Sequence, residues 1–336
     1  MGEAVRVVGA LRRILNVEAE REEPLRDGFR WWADRQAQEI RVLPGSEAWE
    51  DLQVEFVSVA TDVCLVEDGA ALREALGQLP MRQPTLYGPV LDGRTRRLRL
   101  ACAMPVHGGN RLLVERLLLI AAVMQIWDAR FAVDAERGFL PPSLRSRPSF
   151  TRAAGPADVL ADAALFVIYH GAWGSSWDEE EFGSLPARVE GDPRFLLVHG
   201  DREFFSAWLA FGSYFPSQCL MWRAARHPWF GFGLALDHAL PVPDVPPELG
   251  MQVALELNAE EFLVRPMGYG LGSWLWEDSL IRFRAFYPRV SYWPGLLENI
   301  AYAEAQRALA AERWLRERHP ELEPASWAAA RVPGPC

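Results

Sequence analysis

The run LLVERLLLIAAVMQIWDARF at residues 112–131 constrains this chain more than any other stretch, because only Glu115, Arg116, Gln125, Asp128 and Arg130 interrupt its apolar character. A surface helix carries one apolar stripe of roughly 100°. This one is apolar around most of its circumference and must be covered on two sides. The charges in its first half argue against a membrane span, which takes about 20 mainly apolar residues. The strand-like run LRLACAMPV at 98–106 places the helix against its own sheet; a further element has to supply the second cover.

Upstream, Val5, Val8, Leu11 and Leu15 recur at helical spacing. The charged run 18–23 reads as a solvated turn. Strand patterns follow at 38–43, at 52–60 (LQVEFVSVA) and at 63–66, with the turn pair Pro44-Gly45 between the first two. Residues 68–79 read as a helix capped by Asp68. Strands are expected at 85–90 and 98–106, joined by an Asp-Gly turn. Asn110 is placed to cap the long apolar helix.

Residues 138–156 hold four prolines and no apolar period, a linker composition. The 336-residue length favours two domains. We therefore read 1–137 as one domain and 138–156 as the linker. Residues 157–225 form a mixed insert or the start of the second domain, with helices at 157–169 and 202–211 and a strand at 195–199. Residues 226–320 form a divergent second copy, and 321–336 a tail. In that copy a helix is expected at 246–259, strands at 261–266 and 279–290, and a long helix at 295–318. Leu98 precedes Leu112 by 14 residues and Ile281 precedes Leu296 by 15, and Pro288 stands where Pro105 does. Similar order and spacing mark a duplication.

Half of the residues are hydrophobic and 14 are Trp, so full cores are available. The formal charge of −10 opposes a broad nucleic-acid surface. Cys64, Cys102, Cys219 and Cys336 show no metal-like spacing and read as small buried hydrophobes. No secretory signal is visible at the N-terminus, and a cytoplasmic protein is expected.

The strand pair around 85–106 ending in Pro105, with the helix 112–131 after it, resembles the YbjN family, and residues 279–290 with 295–318 resemble it again. The resemblance implies an α+β fold of tandem antiparallel sheets with flanking helices, like that of type III secretion chaperones. It also implies a non-enzymatic protein that binds other polypeptides, forms a homodimer and acts in stress response or DNA maintenance through a protein partner. It supplies no catalytic residue and no cofactor.

Among the six histidines none has a ligand-like neighbour, so no metal site is expected. His199 and Asp201 are the pair an enzyme would use, yet no nucleophile elbow accompanies them. GYGLG at 268–272 lacks the Lys-Ser/Thr of a phosphate loop and reads as a hairpin loop. Arg94, Arg97 and Arg99 form the densest basic cluster together with Arg96; a single-stranded nucleic-acid contact is the alternative to a solvated sheet face. Trp31, Trp32, Trp173, Trp177, Trp274 and Trp276 are candidate partner contacts, since aromatic residues are enriched at interface hot spots. The acidic run 178–181 beside Trp177 would steer an Arg-rich partner. Leu113, Leu117, Ile120, Met124 and Trp127 are the candidate self-association face of the long helix.

Overall fold

The computed structural model describes residues 2–33, 36–45, 47–49, 52–66, 85–93, 95–133, 140, 177–211, 216–228, 230–242 and 245–322. The expected helices at 68–79 and 157–169, most of the linker 138–156, Arg94 and Trp173 lie outside them.

The fold is α+β, built from two antiparallel sheets with flanking helices. In the first unit, α1 (Glu3–Ile14) precedes β1 (Glu22–Leu25), β2 (Gly28–Trp32), β3 (Ala37–Val42), β4 (Glu47–Trp49) and β5 (Leu52–Leu65). Then come β6 (Gly88–Asp92), β7 (Arg97–Val106) and α2 (Arg111–Ala132). The strand order is β1-β2-β3-β5-β7-β6, with β4 paired to the start of β5. The second unit runs α3 (Glu179–Val189), β8 (Phe195–Gly200), β9 (Phe204–Leu209), β10 (Ser217–His227) and β11 (Gly231–Ala239). It continues with α4 (Pro247–Ala259), β12 (Ser273–Glu277), β13 (Leu280–Pro288) and α5 (Leu296–Arg318). Its strand order, β8-β9-β10-β11-β13-β12, repeats that of the first sheet once the β4 arm is set aside.

The apolar α2 is covered on two sides. β5 and β7 lie under it, while α1 and the short turn after β13 pack beside it. The Arg116 guanidinium also donates to the Val290 carbonyl at 2.8 Å and stacks over Trp293. β5 is longer than its sequence pattern suggests because a bulge between Asp62 and Cys64 joins what read as two strands. Cys64, Cys102 and Cys219 are buried free thiols. Burial pushes the Cys64 thiol up to about 12.

Several expectations are corrected in the second unit. Residues 202–211 hold a strand, β9, where a helix was expected: FFSAWL alternates half-buried and buried positions with a period of two. Residues 260–264 close α4 with a π-helical turn in place of a strand. The GYGLG segment is a packing seam and not a hairpin: Ala103 N–H donates to the Gly270 carbonyl at 3.1 Å, bridging the two units. A Cβ on Gly270 would sit 2.6 Å from the Ala103 carbonyl oxygen and one on Gly268 2.5 Å from that of Ala303, so neither position can carry a side chain without movement. Residues 179–225, read as part of a mixed insert or of the start of the second domain, supply α3, β8, β9 and most of β10. In the first unit, the run read as a solvated turn at 18–23 already enters β1 at Glu22. With α4 packed across both β6 and β12, the two units share one continuous apolar core.

Candidate functional site

Five of the six tryptophans singled out in the sequence lie in the described residues, and all five pack or hydrogen-bond within the fold. Trp31 and Trp32 are buried in β2, where the Trp31 indole donates to Gln38 Oε1 at 3.1 Å. Trp177 is buried edge-on against Tyr287 and Tyr292. The Trp274 indole donates to buried Glu261 at 2.6 Å, and half-buried Trp276 donates to the Val245 carbonyl. Three of the four acidic residues beside Trp177 are engaged within the fold as well. Asp178 caps its own helix, Glu179 pairs with Arg223, and Glu181 accepts from the Gly295 N–H at 3.0 Å to cap α5.

On the outer face of the first sheet Arg97 and Arg99 clamp buried Asp62 at 2.5 and 2.7 Å, and Arg99 also pairs with Glu39. Burial alone would raise the Glu39 carboxyl; the charge of Arg99 and the hydrogen bond from Arg30 hold it below its ordinary value. Arg99 is buried and not solvated, which corrects the sequence expectation. The second sheet repeats the device, with Asp237 clamped by Arg282 and Arg284 at 3.0 and 2.6 Å. These arginines spend their charge inside the fold.

On α2, Leu117, Ile120 and Met124 are buried in the chain's own core, and Leu113 and Trp127 pack against it. Most of that face is therefore taken up within the chain; Leu112, 63% exposed, is the one exposed large apolar residue of α2.

Both units hide a polar network where the last helix crosses the sheet. In the first, Gln38 donates to Thr61 at 2.8 Å and Thr61 to Gln125 at 2.9 Å. In the second, His238 Nε2 lies 2.9 Å from Ser217 Oγ and Nδ1 lies 2.9 Å from Glu304. Glu304 and Glu261 in turn hold Arg307, which also donates to the Tyr269 carbonyl. Thr61 faces Leu100 and His238 faces Phe283, each five residues before Pro105 or Pro288, so the networks occupy equivalent places. Ser217, His238 and Glu304 have the connectivity of a hydrolase triad. All three are fully buried, and none of them lines the cleft at the junction of the units. His199 and Asp201 do not assemble a site either: Asp201 accepts from the N–H groups of Glu203 and Phe204 to fix a tight turn.

Exposed apolar surface collects elsewhere, on the outer face of the second sheet. Leu196 and Leu197 of edge strand β8 are 59% and 61% exposed, and Trp222 of β10 and Phe232 of β11 are each 38% exposed. Leu197 faces Trp208, and Trp222 faces Phe204 with ring centroids 5.9 Å apart, so apolar pairs lie near both ends of β9. The other three sheet edges are guarded. β1 carries Glu22, Glu23 and Pro24; β6 carries Pro89 and Asp92; β12 lies against α4. β8 reads FLLVHG, with no acidic residue, Lys, Arg or Pro.

Beside the start of β8, where the units meet, lies a cleft of about 370 Å³. Val54, Pro105, His107 and Asn110 line it from the first unit. From the second come Arg194, Tyr269, Tyr302 and Gln306. Asn110 ties the end of β7 to α2, accepting from His107 N–H at 2.9 Å and donating to the Pro105 carbonyl at 3.0 Å. Arg194 is held in a two-point pair with Asp192 at 3.0 and 2.6 Å and lies over the Tyr302 ring.

Among the described residues no group of three His, Cys, Asp or Glu side chains could hold a metal ion, and no helix is long and apolar enough to cross a membrane. Compared with known proteins, the chain matches no family model, no curated protein and no solved structure.

Proposed function

We propose that this chain is a non-enzymatic protein-binding adaptor that captures an extended segment of a partner along β8. The observation that carries the reading is the edge strand FLLVHG, free of charged residues and proline, with Leu196 and Leu197 exposed on it and Trp222 exposed two strands away on the same sheet. An exposed edge offers unpaired backbone groups to an added strand, and flanking apolar side chains set which strand is accepted. The resemblance to the YbjN family supports the same reading and adds stress response or DNA maintenance as the setting. The internally paired arginines of β7 speak for a protein partner over a nucleic acid.

The test is affinity capture from the chain's own cells with wild type and Leu197→Glu in parallel. A substitution at this exposed site should change stability by less than about 0.5 kcal/mol. A stoichiometric partner retained by wild type and lost with Leu197→Glu is the expected result. A partner held equally by both would place recognition elsewhere.

A further inference from the structure

We propose that the cleft between the two units is a second binding site, for an uncharged planar ligand carrying both a hydrogen-bond donor and an acceptor, such as an amide or a nitrogen heterocycle. The proposal is independent of strand capture at β8. At about 370 Å³ the cleft lies at the small end of ligand pockets, and it sits at a junction between units, where such pockets concentrate.

The chemistry of the walls selects the ligand. Arg194 and Asp192 cancel each other in their two-point pair, so a charged ligand would lose water without gaining an opposite charge. Burial pushes His107 below its ordinary value and Tyr269 up to about 12, which leaves both rings neutral near pH 7. Asn110 spends both ends of its amide on the backbone, and Tyr269 donates to Asn299 at 3.2 Å. Two lining groups keep spare capacity. The Nδ1 of His107 accepts from Gly109 N–H at 3.1 Å, so the neutral ring carries its proton on Nε2 as a donor. The Gln306 side chain makes no hydrogen bond with the described residues and offers one donor group and one acceptor. Pro105, Tyr269 and Tyr302, the last with Arg194 over its ring, give the cleft apolar and aromatic wall, which favours a planar aromatic body.

Calorimetric titration of the full chain with nicotinamide and hypoxanthine, against the charged nicotinate and orotate, tests this. Saturable binding of an uncharged probe is expected, with its charged counterpart at least about tenfold weaker because its charge would be desolvated unpaired. Gln306→Ala, on a half-buried helix position, and His107→Leu should each weaken binding about three- to tenfold, the worth of one neutral hydrogen bond. Should His107→Leu disturb its turn, Gln306→Ala alone decides. Failure of both uncharged probes to saturate, nicotinate binding as tightly as nicotinamide, or Gln306→Ala leaving affinity unchanged would each overturn the assignment.

Discussion

Arg307 enters the core with two carboxylates, Glu261 and Glu304, and all three side chains are withdrawn from water. Such a cluster is held by mutual satisfaction: its members cost free energy when any one is removed, because the remaining charges stay buried. Arg307→Met should therefore destabilise the chain by about 3–5 kcal/mol, read as a shifted urea midpoint. The equivalent network in the first unit is built from neutral Gln38, Thr61 and Gln125, so only the second should respond to acid. Burial would raise the Glu304 carboxyl, but Arg307 and His238 hold it below the ordinary 4.5. A carboxyl lowered on folding contributes stability that is complete above its unfolded value and is lost as pH falls through the folded one. Stability should decline as pH drops below about 4.5, and Glu304→Gln should flatten that decline while lowering stability at pH 7. A profile identical to wild type would show that Glu304 does not titrate with folding.

At the scale of elements, the seam at 268–272 shows why small residues stand where two units close on each other. Gly270→Val would drive a side chain into the Ala103 backbone, and a loss of about 1–3 kcal/mol in thermal or urea unfolding is expected. That seam was misread as a hairpin because glycine marks both turns and close approaches, and only the tertiary partner distinguishes them. The elements that could be read from sequence carry strong local patterns: α2 and β7 as long, nearly unbroken apolar runs, β13 and α5 through their apolar spacing. β10 hides because its inward positions include Ser217 and His227 while Leu220 and Trp222 point outward, which erases the alternation. Trp222 of that strand also belongs to the candidate docking face. The buried histidine network was equally invisible, since Ser217, His238 and Glu304 lie on three separate elements with no local spacing to join them.

For the whole molecule, two sheets of the same strand order have fused along a common core, and their fusion leaves unequal surfaces. β6 and β12 are consumed at the junction with α4, and β1 is protected by its acidic residues and proline. Paired arginines and carboxylates cover the outer face of the first sheet. Among the described residues, β8 is the edge strand that carries exposed apolar side chains and neither a charged residue nor proline. The most direct measurement places a photo-cross-linking residue at position 197 in living cells, with position 112, equally exposed on α2, as the control. Cross-linking to one protein partner from 197, absent from 112 and abolished by Trp222→Glu, is the predicted result. Cross-linking from 112 without 197, or from neither, would contradict β8 as the place where this chain meets its partner.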